Sequence, residues 1–277
     1  MSNSAAAIRV NRLKIGYEGK LVLRDISFEV APGEVFVILG GSGCGKSTLL
    51  KHLIGLHHPM EGEIWIGGEN LVVSHGEQRR RVLRRFGMMY QSGALFGSMT
   101  VLENVKLPLD AYTDLPEPAK VMVAMAKLRL VGLAAAAQKM PSELSGGMQK
   151  RAAIARAMAL DPGILFLDEP SAGLDPVTSA GLDSLINELA ETFGITFVIV
   201  THELASIFEV ADRVIMLDNR AKTIIATGCP KQLRDTTTDP WVKQFFHREP
   251  TTANANSIVH ASVDSGSSLP TSNPSSR

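Results

Sequence analysis

A glycine-rich stretch at residues 40–48 constrains the fold of this chain more than any other feature. It follows the apolar run 35–39, which has the length of a buried strand, and it leads into residues 49–54, whose apolar spacing is helical. The order strand, glycine loop, helix makes the match to G-x-x-x-x-G-K-S a predicted phosphate-binding loop, or P-loop. Backbone N–H groups and the N-terminus of the helix would face a polyphosphate there.

Two side chains of the P-loop have further expected roles. Lys46 is expected to reach the β- and γ-phosphates of a nucleotide, and the Ser47 hydroxyl is expected to be a magnesium ligand. The predicted nucleotide-binding residues of the loop are Gly40, Gly41, Ser42, Gly43, Cys44, Gly45, Lys46, Ser47 and Thr48. The predicted cofactors are therefore ATP and Mg²⁺.

Composition excludes several classes of protein. The 277 residues carry no formal net charge, so nothing indicates a nucleic-acid partner. Two cysteines make no disulfide framework and favour a reducing compartment. The N-terminus lacks a leader pattern and no apolar run is long enough to span a bilayer, so we expect a soluble cytosolic protein that only a partner could hold at a membrane.

The apolar patterns predict an α/β fold. Alternation over residues 8–31 predicts antiparallel strands. Buried-strand runs at 164–167, 195–200 and 214–217, with helices between them, predict a parallel sheet covered by helices. Residues 98–158 are mostly helical in pattern and predict an inserted α-helical subdomain.

An acidic pair follows the apolar run 164–167. Asp168 ends this predicted strand in the position of a Walker B aspartate, and we expect it to support magnesium. The adjacent Glu169 is then the expected general base, which polarises the attacking water. Such a pair is common by itself, and the P-loop upstream gives it its meaning.

The most specific motif is Leu-Ser-Gly-Gly-Met-Gln-Lys-Arg at residues 144–151. With this string shortly before the acidic pair, the chain resembles the ATP-binding cassette (ABC) family over about residues 8–235. The resemblance implies a P-loop NTPase with a RecA-like parallel-sheet core, an N-terminal antiparallel β subdomain and the helical insertion. It also implies a head-to-tail dimer with a second copy of the chain, which buries two nucleotides.

The resemblance assigns roles to further residues. Gln91 matches the glutamine that senses magnesium and the γ-phosphate, and His202 matches the switch histidine. Tyr17 is placed where an aromatic ring stacks on adenine. Ser145, Gly146 and Gly147 of the signature string are expected to face the nucleotide of the other subunit. Asp175, in the segment 171–175 that matches the D-loop of the family, is a further expected nucleotide-binding residue.

Several stretches narrow the family. Residues 91–96 and 99–105, Met148 and the segment 239–245 resemble the ATPase subunit of Mla-type phospholipid transporters. That resemblance implies an integral membrane permease, an Mce-domain protein and a small regulatory subunit as partners. It also implies a peripheral position on the cytoplasmic face of the bacterial inner membrane.

Two alternatives stay open from the sequence. One keeps the transporter and changes its cargo, to an amino acid, peptide or lipoprotein. The other is a soluble cassette ATPase in translation, DNA repair or iron–sulfur assembly. One cassette without a heptad run disfavours the translation and repair types, and the stretch 92–96 disfavours the iron–sulfur type.

Five smaller expectations concern surfaces and the chain end. Leu95, Phe96 and Met99 are expected to line the groove that receives the permease. Residues 236–249 are expected to form a C-terminal extension that contacts the partner ATPase, and residues 250–277 to be a disordered tail. The arginines between 79 and 85 are expected to form a solvated helix face, and His57 and His58 are assigned no chemistry.

Overall fold

The computed structural model describes residues 6–17 and 19–248 of the chain. The strands in these ranges are β1 (Ile8–Tyr17), β2 (Lys20–Val30), β3 (Val35–Gly40), β4 (Glu61–Ile66), β5 (Glu69–Asn70), β6 (Phe86–Met89), β7 (Ile164–Asp168), β8 (Thr196–Val200), β9 (Arg213–Asp218) and β10 (Thr223–Gly228). The helices are α1 (Lys46–Leu53), α2 (Gly76–Leu83), α3 (Val101–Tyr112), α4 (Glu117–Leu130), α5 (Gly146–Ala157), α6 (Pro176–Phe193), α7 (Leu204–Val210), α8 (Pro230–Thr236) and α9 (Pro240–His247).

The N-terminal strands form an antiparallel sheet in the order β2-β1-β4-β5. Along β1 the residues Ile8, Val10, Leu13 and Ile15 are buried. The two-residue period breaks between Val10 and Leu13, where the register with β2 shifts and Arg12 adopts a positive φ of 43°. This bulge keeps apolar side chains on the buried face despite the extra residue.

A second sheet has the order β10-β9-β3-β8-β7-β6 and is parallel except for β10. All six residues of β3 are buried, as expected for a strand covered on both faces. Because β3, β8, β7 and β6 run in the same direction, their carboxyl ends meet along one edge of the sheet. Ligands of open parallel sheets bind at this edge.

The two sheets and α1 share one apolar cluster. Ile8 and Leu13 come from the antiparallel sheet, Phe36 and Phe166 come from the parallel sheet, and Leu49 comes from α1. The rings of Phe28 and Phe36 stack with centroids 5.1 Å apart, which joins strands β2 and β3. The helix that follows the P-loop is therefore anchored on the core.

The stretch predicted to be helical contains α3, α4, α5 and two short 3₁₀ turns. Thr100 and Glu103 form a reciprocal capping box at the start of α3. The side-chain amide of Asn104, fully buried, donates to the carbonyl groups of Phe96, Met99 and Thr100. It therefore ties the loop before α3 to the helix itself.

One surface expectation from the sequence is wrong in part. Arg79 does not lie on a solvated face, because its guanidinium donates to the carbonyl oxygens of Gly55 (2.6 Å) and Leu71 (3.3 Å). Arginines 80, 81, 84 and 85 are exposed. The pattern of α2 did not distinguish the arginine that faces the neighbouring loop from those that face solvent.

The chain divides into two compact units between Leu233 and Arg234. Within the second unit, the Asp239 carboxylate accepts hydrogen bonds from the backbone N–H groups of Trp241 (2.9 Å) and Val242 (3.0 Å), and so caps α9. The rings of Phe245 and Phe246 meet edge to face. The tail expected at 250–277 lies outside the described residues, and the predicted domain boundaries stay a prediction.

No helix in the described ranges combines the length and the apolar character needed to cross a membrane.

Candidate active site

The P-loop takes a backbone path that only glycine follows easily. Gly40, Gly43 and Gly45 have positive φ angles of 150°, 73° and 100°. A Cβ atom on Gly40 would lie 2.5 Å from both Cys44 Sγ and Leu217 O. Helix α1 begins at Lys46 without a side-chain cap. Its first N–H groups are therefore free to bind an anion.

The side chains of Lys46 and Cys44 make different contacts in the P-loop. Lys46 Nζ donates to the carbonyl oxygens of Gly40 (2.8 Å) and Gly41 (3.1 Å), so the ammonium group lies at the loop itself. Cys44 is buried, and burial raises the pKa of its thiol. The thiol is thus neutral and packs, and Cys44 offers a phosphate its backbone N–H.

The carboxylate of Asp168 fits a cation. Its Oδ1 atom is buried and has no hydrogen-bond partner among the described residues. Burial and the charge of Glu169 raise the pKa of Asp168. A bound cation would give Oδ1 a partner, and its positive charge would favour the ionised carboxylate and so lower the pKa of Asp168.

Two further oxygen-bearing side chains follow strands that end at the same edge of the sheet as Asp168. Gln91, which follows β6, lines an open cavity of about 570 Å³ together with Asp168. Ser47 is exposed in the first turn of α1, on the neighbouring part of the same sheet edge. Hydroxyl, amide and carboxylate oxygens are the ligands that Mg²⁺ prefers. The residues therefore fit the predicted metal.

Glu169 is held firmly and still keeps one oxygen unpaired. Its backbone is left-handed, with φ 47°, which is uncommon for a residue other than glycine. Its N–H donates to Val200 O at 2.8 Å. Oε1 lies 2.8 Å from Nδ1 of His202, whereas Oε2 is buried and has no hydrogen-bond partner within residues 6–17 and 19–248. This arrangement suits a general base, since one oxygen is fixed and the other is free to accept a proton.

The signature residues lie at the start of α5. Ser145 Oγ caps this helix by accepting from Met148 N (3.3 Å). Gly147 packs so closely on α6 that a Cβ atom would lie 2.3 Å from Thr178 Cγ2, whereas Gly146 is exposed. In the described part of the chain, no hydrogen bond joins these three residues to the P-loop.

Asp175 caps a helix, and Tyr17 presents an exposed ring. The Asp175 carboxylate caps α6, since Oδ1 accepts from the N–H groups of Val177 and Thr178, both at 3.0 Å, and Oδ2 accepts from Thr178 Oγ1. The Tyr17 ring is 59% exposed and meets the His57 ring edge to face, with centroids 6.1 Å apart. An exposed ring at the end of β1 is available for stacking.

Sequence reasoning missed Lys150. This lysine is buried in α5, and its Nζ donates to the carbonyl oxygens of Gln91 and Glu169. A signal was present in the sequence, because Lys150 lies at helical spacing from the apolar residues Ala153 and Ile154, both of which the structure buries. A lysine on the buried face of a helix has to find partners there.

A second omission is Arg156, also on α5. Its guanidinium donates to the carbonyl oxygens of Gly93 (2.9 Å) and Ala94 (2.8 Å) and so secures the segment that follows Gln91. A third is Asp183, whose carboxylate is buried and accepts from Ser206 Oγ at 2.9 Å. Neither contact follows from local pattern, because each joins residues distant along the chain.

Comparison with known sequences identifies the family. The sequence profile described as "ABC transporter" matches residues 23–172. The intermembrane phospholipid transport system ATP-binding protein MlaF of Escherichia coli K12 is 42% identical over 227 residues, which cover 82% of this chain and 83% of MlaF. The probable ribonucleotide transport ATP-binding protein mkl of Mycobacterium leprae is 39% identical over 241 residues, 87% of this chain and 69% of that protein.

Solved structures agree with these relatives. The dimeric ATP-binding cassette MJ0796, in a post-hydrolysis state bound to ADP and Pi, has a TM-score of 0.72 at 29% identity and covers 80% of this chain and 98% of its own. CbiO1 from Clostridium perfringens, part of the ABC transporter complex cbiONQ, has a TM-score of 0.76 at 28% identity. The match covers 92% of this chain and 98% of CbiO1. The resemblance seen in the motifs is confirmed: this chain belongs to the ABC transporter family and is one of its ATPases.

Proposed function

We propose that this chain is the ATP-hydrolysing motor of a transporter that moves phospholipids between membranes. The cargo is inferred from the 42% identity to a protein named for intermembrane phospholipid transport, and this identity extends over four fifths of both chains. The motor is peripheral and acts from the cytoplasmic face of a bacterial inner membrane. Its partners are a permease, an Mce-domain protein and a small regulatory subunit.

Hydrolysis is assigned to the residues at one edge of the parallel sheet. The P-loop and Lys46 bind the phosphates, and Tyr17 stacks on adenine. Glu169 accepts the proton of the attacking water through Oε2, while His202 holds Oε1. Ser47, Gln91 and Asp168 would hold Mg²⁺, which neutralises phosphate charge when bound. Positioning and electrostatics of this kind supply most of the catalysis in phosphoryl transfer.

The working form is a head-to-tail dimer of this chain. The N-terminus of α5, where Ser145 caps Met148 N and Gly146 is exposed, favours an anion, and a second protomer would supply it as the γ-phosphate of its ATP. Ser145, Gly146 and Gly147 approach that phosphate, and Asp175 lies beside them. The dimeric state of the similar cassette MJ0796 supports this arrangement.

A cavity of about 550 Å³ is the proposed permease site. Phe96, Tyr90, Pro108 and Tyr112 are among its lining residues, whereas Leu95 and Met99 are not. Phe96 is 50% exposed. A helix from the permease that presents apolar side chains would cover these rings and bury their surface. Ala94 and Arg156 also line this cavity, and Arg156 donates to the carbonyl oxygens of Gly93 and Ala94. An occupant would therefore contact the segment that follows Gln91, a residue of the proposed site of hydrolysis.

The test is purification of the tagged chain from detergent-solubilised native membranes, with mass spectrometry of associated proteins and lipids. Recovery of a permease together with an Mce-domain protein and phospholipid is the expected result. A tagged Phe96→Glu variant serves as the control, because it should lose the permease and everything that the permease carries.

Two other results would redirect the proposal. A different permease, with nucleotides or ribonucleotides bound, would favour the cargo named for the mycobacterial relative, which is 39% identical. Recovery of soluble partners alone would favour a cassette ATPase without a transporter. Either result would remove phospholipid as the cargo.

A further inference from the structure

The side chain of Lys150 joins three motifs of the site. Lys150 lies in α5, five residues after Ser145, and is only 7% exposed. Its Nζ donates to the carbonyl oxygen of Gln91 and, at 3.3 Å, to the carbonyl oxygen of Glu169. One ammonium group thus connects the signature helix to the proposed magnesium-sensing glutamine and to the proposed general base.

The electrostatic setting explains why a charged group stays buried there. Burial lowers the pKa of Lys150, and the negative charges of Asp168 and Glu169 act against that shift. Both of its hydrogen bonds run from a cation to a carbonyl oxygen, and charge-assisted bonds of this kind are stronger than neutral ones. A buried charge that lacked them would be strongly unfavourable.

The backbone of Glu169 needs such support. This residue has a φ of 47°, a conformation that persists only where surrounding contacts hold it. Val200 O accepts from its N–H, and Ala172 N donates to its carbonyl oxygen at 3.2 Å. Lys150 supplies the side-chain contact to the same carbonyl oxygen. The direction of the Glu169 side chain follows from the orientation of this peptide group.

We propose that Lys150 is a positioning residue for hydrolysis. Its ammonium group fixes the Gln91 and Glu169 carbonyl groups relative to α5, so the Glu169 carboxylate is aimed correctly only while α5 keeps its place against the sheet. Movement of the helical region would then switch hydrolysis without disturbing the P-loop. The inference rests on the roles proposed above for Glu169 and Gln91.

The experiment compares full-length Lys150→Met and Lys150→Arg with the parent protein. Lys139→Met is the matched control, because Lys139 is an exposed lysine of the same helical region. Glu169→Gln is the reference for a chain that binds ATP and does not hydrolyse it. The measurements are kcat and KM for ATP, affinity for a fluorescent ATP analogue, ATP-dependent dimer by size-exclusion chromatography, and thermal unfolding.

Lys150→Met should lower kcat by about 100-fold, the scale expected when a catalytic group is misplaced by about 1 Å. ATP affinity should be unchanged, and the variant should accumulate the ATP-bound dimer as Glu169→Gln does. If Lys150 had a purely structural role, Lys150→Met would instead lose both its affinity for ATP and its ATP-dependent dimer. Lys150→Arg should keep a higher kcat than Lys150→Met, since charge and donors persist.

The proposal is overturned if Lys150→Met hydrolyses ATP at the parent rate. It is also overturned if ATP affinity and the amount of dimer decrease in proportion to kcat in both Lys150→Met and Lys150→Arg. If Lys150→Met does not fold, Lys150→Gln replaces it under the same criteria, and failure of both to fold would assign Lys150 to stability alone. Glu169→Gln distinguishes a failure of the proposed function from a failure of this inference. Full hydrolysis by Glu169→Gln would contradict Glu169 as the proposed base, whatever result the Lys150 variants give.

Discussion

The Nδ1 atom of His202 lies 2.8 Å from Oε1 of Glu169, although 33 residues separate them along the chain. The His202 side chain is 60% exposed, whereas that of Glu169 is 11% exposed. A surface histidine therefore holds one oxygen of a buried carboxylate. The parallel pairing of β7 with β8 produces this contact, because it brings the ends of both strands to the same edge.

Glu169→Gln should bind ATP and stop hydrolysing it. The amide keeps the size of the side chain, but it cannot accept the proton of the attacking water. General-base removal typically lowers the rate by about 100- to 10,000-fold. Phosphate release assays measure the rate, and size-exclusion chromatography with ATP should detect the trapped dimer. Normal hydrolysis would show that another group is the base.

Lys46→Ala should lose both binding and hydrolysis of ATP. The ammonium group lies at the P-loop, where it donates to the carbonyl oxygens of Gly40 and Gly41, and phosphate oxygens would be its stronger partners. Titration with a fluorescent ATP analogue measures the affinity. Lys231→Ala, at an exposed lysine of α8, is the control and should bind as the parent does. Equal affinity in both variants would contradict the role of Lys46.

Local pattern predicted the P-loop, the strands of the parallel sheet and the acidic pair. Each of these depends on residues close together along the chain: an apolar run, glycines where φ is positive, and polar residues at a strand end. Local pattern also predicted antiparallel strands over residues 8–31 and a helical insertion over residues 98–158, and the confirmed family resemblance joined these parts into one architecture. The fold class was accessible because its signals are short and ordered.

Contacts between distant residues were not accessible in this way. Arg79 belongs to the same run of three arginines as the exposed Arg80 and Arg81, and its hydrogen bonds to Gly55 and Leu71 distinguish it from them. Likewise, Phe96 lines the cavity and Leu95 does not, a difference set by how Asn104 holds the loop. Side-chain direction in such loops depends on tertiary packing, which local patterns do not encode.

The contribution of His52 to stability should decrease as pH falls below 6.5, the ordinary pKa of histidine. His52 is buried, its Nδ1 lies 2.8 Å from Thr48 O, and its Nε2 has no hydrogen-bond partner in the part of the chain that the structure describes. Burial lowers the pKa of His52 below its ordinary value of 6.5. Between the lowered folded pKa and 6.5 the unfolded chain binds more protons, so acidification favours unfolding.

The check is the free energy of unfolding against pH for the parent and for His52→Gln, which keeps a donor and does not titrate. The His52 contribution to the slope cannot exceed about 1.4 kcal/mol per pH unit, the value for one proton. His52→Gln should have the shallower slope. His75→Gln, at an exposed histidine, should retain the parent slope. Identical slopes for the parent and His52→Gln would assign the pH dependence to other groups.

Truncation after residue 236 should weaken dimerisation. The deleted segment includes α9, which carries Trp241 and Phe245 as half-exposed aromatic side chains. Aromatic residues of this kind commonly anchor interfaces. Sedimentation equilibrium with ATP measures the dimer constant, preferably in the Glu169→Gln background. The substitution Lys243→Ala on α9 is the control, and an unchanged constant after truncation would place α9 outside the dimer interface.

Phe96→Glu should abolish assembly with the permease and leave ATP binding intact. The ring is 50% exposed in the cavity of about 550 Å³, where a carboxylate would lie unpaired beneath an apolar helix. A buried, unpaired charge at an interface is costly, so the complex should dissociate. Met122→Glu is the matched control, since Met122 is 71% exposed on α4 and does not line this cavity. Co-purification of the permease measures assembly, and a fluorescent ATP analogue measures binding. If Phe96→Glu retains the permease as well as Met122→Glu does, the permease docks elsewhere on this chain.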